Sequence, residues 1–139
     1  MRLIGFNFTK ISIKKLSNGL KDLKINTNIN INNIEKASTD IIKIKEDILS
    51  LKFEYELDYS PNIAKIEIEG NALLAVDSKI SKEILKMWED KKLPDDFRVS
   101  ILNIIYKKSN IKAIELEEEM NLPTHIPMPV LSKPKEEKE

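Results

Sequence analysis

The spacing of apolar residues changes once along this chain, at Asp77-Ser78, and that change limits the fold more than any other feature. Before it, apolar residues recur at every second position. Leu23, Ile25, Ile29 and Ile31 alternate with Lys24, Asn26, Asn28 and Asn30, and Leu49, Leu51, Phe53, Tyr55 and Leu57 alternate with polar neighbours. Side chains of a strand point to opposite faces in turn, so each run is a strand with one apolar face. After the change, Ile80, Ile84, Leu85, Met87 and Trp88 fall at helical spacing, as do Phe97, Ile101, Leu102, Ile104, Ile105, Ile111, Ala113, Ile114 and Leu116. Strands first and helices after predict an α+β domain, a four-stranded antiparallel sheet with a short and a long helix packed on one face.

Local signals divide the chain further. Ile4, Phe6 and Phe8 share one parity and Ile11 and Ile13 the other, which predicts a bulge near Thr9 or Lys10. Leu16-Ser17-Asn18-Gly19 reads as a turn. The third strand is long: Ile42 and Ile44 set one parity and Leu49 onward the other, which places a bulge or kink around Glu46 to Ile48. Asp58 to Asn62, with Pro61, reads as a hairpin turn into a fourth strand carrying Ala64, Ile66, Ile68, Ala72, Leu74 and Val76. Sequential strands joined by short turns predict a meander. Asp77 and Ser78 suit a helix N-cap, and Lys91-Lys92 suit a C-terminus. Leu93-Pro94-Asp95-Asp96 opens a second helix that runs to about Met120. Residues 121–131 hold Pro123, Pro127 and Pro129 and should lie extended against the domain. The domain therefore spans residues 1–131, and residues 132–139 form a charged tail expected to be disordered.

Side chains for catalysis are scarce. The chain has no Cys and a single His, His125, so a zinc site of the usual ligands and a cysteine nucleophile are both excluded. Three glycines, Gly5, Gly19 and Gly70, have no spacing that cradles a phosphate. His125 reads as structural, and Glu115, Glu117, Glu118 and Glu119 read as a solvated acidic face. No enzyme, metal or cofactor is expected. Basic and acidic residues balance at 23 each, which removes the electrostatic reason to expect nucleic acid or an anionic membrane as partner. The start of the chain lacks an apolar signal run and no stretch is long and apolar enough to insert in a membrane, so the expected compartment is the cytoplasm.

What remains is binding. Phe53, Tyr55, Met87 and Trp88 are large or adaptable side chains of the sort that accept varied apolar partners. A first strand bearing Phe6 and Phe8 would leave an apolar edge, and the first helix bears more apolar surface than a short element needs. Pairing with a second copy would cover both, which nominates Phe6, Phe8, Ile80, Ile84 and Met87 as an oligomer interface.

The order of these pieces resembles the SecB export chaperone and its SecB-like relatives. The likeness rests on the last strand running into a short helix, Leu93-Pro94 before a long helix, and Asn121-Leu122-Pro123 opening an extended end. Phe6-Asn7-Phe8-Thr9-Lys10-Ile11-Ser12-Ile13 also looks like that family's first strand. The resemblance implies tetramers built as dimers of dimers that hold unfolded or nascent polypeptides in apolar grooves without ATP. Carried onto this chain, the groove would draw on Phe53, Tyr55, Trp88, Leu122, Ile126 and Met128. Two departures stand out. The crossover after the first strand is short, about Leu16 to Asp22, and Lys24, Asn26, Asn28 and Asn30 stand where the family has an acidic surface for the SecA motor. These argue against delivery to SecA and for a general holdase, one tied to a particular client, or an adaptor with a single partner.

Overall fold

The computed structural model describes residues 1–19, 21–37 and 46–134. Strands β1 (Arg2–Lys15), β2 (Lys24–Lys36), β3 (Glu46–Ser60) and β4 (Ala64–Asp77) precede helices α1 (Ser78–Trp88) and α2 (Asp95–Glu119). All strand pairings are antiparallel, and the spatial order is β1-β4-β3-β2. The α+β class with two helices on one face of a four-stranded sheet stands. Only the place of β1 differs from a simple meander: β2, β3 and β4 follow one another, while β1 pairs with β4. The β1–β2 connection passes the β3–β4 turn, where the backbone N–H groups of Leu16 and Ser17 donate to Ile63 O. A short polar loop between two strands carries no sign of which neighbour each strand will take, and burial on β4 decides it.

Bulges align the apolar residues. In β1, Leu3 pairs with Leu74 and Phe6 with Ala72, leaving Ile4 as an extra residue that is exposed. Phe8 pairs with Gly70 and Ile11 with Ile68, leaving Thr9 extra, so the bulge expected there is present. A third irregularity at Asn32 keeps both Ile31 and Ile34 opposite the apolar face of β3. No bulge or kink occurs at Glu46 to Ile48, which pair in unbroken register with Asp77, Val76 and Ala75. Ile42 and Ile44 lie outside the described residues. Gly70 is needed where it stands: a Cβ there would meet Asn7 O of β1 and lie 2.6 Å from Cζ of Phe53.

Asp77 caps α1, its carboxylate accepting the Lys79 N–H at 2.9 Å. The helix stops at Trp88 rather than Lys91. Lys91 takes a left-handed φ of 58°, and the N–H groups of Lys91 and Lys92 donate back to Trp88 O and Met87 O. This is the Schellman arrangement, and Asn121 with φ 53° repeats it at the end of α2, where Leu122 N–H donates to Glu117 O. With 25 residues α2 is about 37 Å long at ~1.5 Å per residue. Its buried residues Phe97, Ile101, Ile105, Ser109, Ala113 and Glu117 recur at every fourth position and lie on the sheet.

The core has two lobes. One gathers Leu49, Leu51, Phe53, Ala72, Leu74, Ile84, Leu93, Phe97, Ile101 and Ile105 under both helices. The other gathers Tyr55, Leu57, Tyr59, Ile63, Ile66, Ile68, Ala113 and Leu122 under the end of α2 and the chain that follows it.

Candidate functional site

A groove of about 790 Å³ opens where the first lobe meets solvent. Three elements form it. β2 supplies Ile29, Ile31 and Asn32, the end of α1 supplies Met87 and Trp88, and the α1–α2 turn with the first turns of α2 supplies Lys91, Lys92, Leu93, Asp95, Arg98 and Leu102. Each placement has a local cause. Ile29 and Ile31 pair with Tyr55 and Phe53, core residues of β3, and so face the helix side of the sheet. The Schellman turn folds Lys91 back until its Nζ lies 4.5 Å from the centre of the Trp88 ring, a cation–π contact. Asp95, Arg98 and Leu102 stand at helical spacing on one side of α2.

At the other lobe a polar cluster is sealed from solvent. The Tyr59 hydroxyl donates to Glu117 Oε2, and so does the His125 backbone N–H at 2.8 Å. The His125 ring donates from Nδ1 to Glu117 Oε1 at 2.9 Å. On the far side of the ring, Nε2 lies 2.9 Å from Asn110 Oδ1 and 3.1 Å from the Tyr55 hydroxyl, which itself donates to Asn110 Oδ1 at 2.6 Å. The His125 side chain is 3% exposed and that of Glu117 0%. Burial pushes the Tyr59 phenol above its ordinary range, with its hydrogen bond to Glu117 second. Burial, followed by the charge of Glu117, does the same to Tyr55. A Tyr-His-Glu set invites a catalytic reading, but this one is closed to any substrate. Its partners join α2, β3 and residues 121–125, so it fastens the extended end of the chain to the core.

The expected site residues divide between these places. Trp88 lines the groove. Phe53, Tyr55 and Leu122, expected beside it, are interior. Ile126 is half-buried and Met128 exposed, and neither lines the groove. Of the residues expected between subunits, Ile84 is fully buried under its own helix, and Phe6 stacks on Phe53 with ring centres 5.1 Å apart. Phe6 also meets Phe8 edge-on and lies beneath Lys108 Nζ. Met87 belongs to the groove, and Ile80 alone of that set is exposed. Glu117 is a correction, since it is the buried hub of the polar cluster and not part of a solvated acidic face. Its position on the every-fourth-residue stripe of α2 was the available signal. The open face of the sheet also differs from expectation: β3 and β4 add Glu54, Glu56, Glu67 and Glu69 to the Lys24 and Asn strip of β2. Lys65 bridges Glu56 at 2.6 Å and Glu67 at 3.2 Å there.

Among the described residues no cluster of His, Cys, Asp or Glu is suited to a metal ion, and no helix is long and apolar enough to cross a membrane. The sequence matches no family model and no curated protein. Among solved structures, the chain is similar to the Mycobacterium tuberculosis SecB-like chaperone Rv1957, solved in complex with a ChAD peptide from the HigA1 antitoxin. The match has a TM-score of 0.57 at 11% identity and covers 96% of this chain and 92% of that one. The fold is SecB-like.

Proposed function

We propose that this chain is an ATP-independent holdase that binds extended apolar segments of unfolded or nascent polypeptides in the groove between β2, α1 and α2. The observation that carries this reading is the composition of the groove. Ile29, Ile31, Met87, Trp88, Leu93 and Leu102 turn apolar surface toward an open cleft on a SecB-like fold. A domain with a complete core has no folding reason to leave such a cleft open, and exposed apolar clefts of this size mark binding sites. The polar cluster offers no accessible reacting group, which supports a role without catalysis. The proposal includes action in the cytoplasm and assembly as a dimer of dimers, with exposed Ile4 and Ile80 available to meet a second copy.

The test is aggregation of a chemically unfolded client without ATP, followed by light scattering, beside Leu102→Asp, which places a charge in the groove wall. Protection that the variant loses while it melts normally supports the reading. Scattering unchanged at a several-fold excess of the chain refutes it. A second reading, an adaptor for one partner, is favoured by the peptide complex of the structural neighbour. It predicts one dominant partner in a pull-down and little protection of generic clients.

A further inference from the structure

The groove has a charge as well as an apolar floor. Lys91, Lys92 and Arg98 line it against a single acid, Asp95. Among the described residues none of these three cations forms an ion pair, so their charge is not balanced within the groove. Asp95 does little to balance them. It sits in the first turn of α2, behind Pro94, which offers no capping side chain, so its charge answers the free amides of that helix end. β2 adds only neutral residues, Ile29, Ile31 and Asn32. The groove lining of a chain neutral in total thus holds three cations to one acid, with Glu89, Asp90 and Asp96 next to them in the chain but outside the lining.

We infer that the groove selects extended segments in which apolar anchors are interleaved with acidic residues. This rests on the groove being the polypeptide site and adds the chemistry of what it takes. An extended segment lying in the groove turns alternate side chains the same way. One set can enter the floor of Ile29, Ile31 and Leu102, and the other, at the groove mouth, comes within reach of the long side chains of Lys91, Lys92 and Arg98. A basic segment with the same anchors meets like charge instead.

The test uses three fluorescent peptides of equal length with Leu and Phe at alternate positions and Glu, Ser or Lys between them. Binding is followed by anisotropy at low and at high salt. Three exposed ion pairs at typical strength predict that the Glu peptide binds on the order of tenfold more tightly than the Ser peptide, and the Lys peptide more weakly. The advantage, read as the ratio of Glu-peptide to Ser-peptide affinity in the same protein, shrinks with salt and disappears in the Lys91→Gln, Lys92→Gln, Arg98→Gln triple variant. Three outcomes overturn the inference while leaving the groove in place: a Ser peptide bound with no preference between Glu and Lys, a preference for Lys, or a triple variant that keeps the Glu preference. If neither the Ser nor the Glu peptide binds, the polypeptide site itself is refuted.

Discussion

Alkaline pH should unfold this domain through Tyr55 and Tyr59. Both phenols are fully buried, and both are held above the ordinary tyrosine range, by burial first and by Glu117 second. In the unfolded chain a tyrosine ionises near pH ~10. Below that both states keep the proton and stability does not depend on these groups. Above it the unfolded state has lost the proton while the folded state retains it, so stability falls as pH rises toward the folded-state values. Each group contributes about 1.36 kcal/mol per pH unit, so the pair contributes about 2.7 kcal/mol per unit. Against a typical domain stability of about 5–15 kcal/mol, one to several pH units of that slope exhaust the reserve.

Urea unfolding from pH 8 to 11.5, followed by near-ultraviolet circular dichroism, measures the slope. Tyrosinate absorbance in a Tyr106→Phe background reports the buried pair alone, since these are the chain's three tyrosines. Tyr55→Phe with Tyr59→Phe is the control. That variant begins less stable, by about 1–3 kcal/mol for each hydroxyl removed from Asn110 and Glu117, but its stability should change much less above pH 10. Lys65 and Lys112, whose carboxylate partners hold them above the ordinary lysine range, lose stability in the same direction. They remain in the control, so the difference between the slopes isolates the phenols. Equal slopes in wild type and control would refute the reasoning, as would tyrosinate absorbance that rises before the fold is lost.

Gly70→Ala should destabilise by about 1–3 kcal/mol in urea, because the new Cβ meets the β1 backbone and the Phe53 ring, and the backbone cannot swing aside. Ile84→Ala should cost about 2–5 kcal/mol as a cavity in the core, whereas Ile80→Ser, at an exposed site of the same helix, should leave melting unchanged and alter only the mass in solution. Glu117→Ala strands the ring and backbone N–H groups of His125 and leaves the Tyr59 hydroxyl only Pro123 O, at 3.2 Å, as acceptor. It should cost about 3–5 kcal/mol and expose residues 121–128 to limited proteolysis before the rest of the domain. Protease resistance equal to wild type would refute the fastening role of the cluster.

Much of the fold was legible because its signals are local and periodic. The alternation in Leu49 to Leu57 sets the buried face of β3 from the residues alone, and the change of period at Asp77 marks the start of α1 to the residue. Strand order was not legible, since whether β1 meets β2 or β4 depends on packing between segments far apart in the chain. The groove was half legible. Trp88 pointed to it, but Phe53 and Tyr55 were drawn in because large aromatic residues suit a binding surface and a core equally well. Only the depth of β3 within the sheet, between β2 and β4, decides that they are core. Glu117 was misread for the opposite reason. Its acidic neighbours Glu115, Glu118 and Glu119 are solvent-facing or nearly so, and only its phase on α2 separates it from them.

The two lobes explain how one small sheet can stay folded while leaving part of its apolar surface open. Near α1 the edge strand β2 and the short helix do not meet closely enough to seal the cleft, and Ile29, Ile31, Met87 and Trp88 stay partly exposed. At the far end the core is closed by the chain beyond α2, with Leu122 buried and His125 bound through Glu117, Asn110 and Tyr55. Hydrogen bonds to a buried carboxylate fix one geometry, whereas apolar contacts alone would let the proline-rich end slide. Fastening residues 121–125 at the second lobe also keeps Leu122, and Ile126 just beyond them, away from the apolar groove of the first. If the groove is the binding site, the cluster therefore serves binding from a distance. Glu117→Gln, which preserves shape, should then weaken peptide binding only as far as residues 121–128 come loose to compete for the groove. Deleting the chain from residue 126 onward in that variant should restore the affinity, and a deletion that restores nothing would uncouple the two lobes.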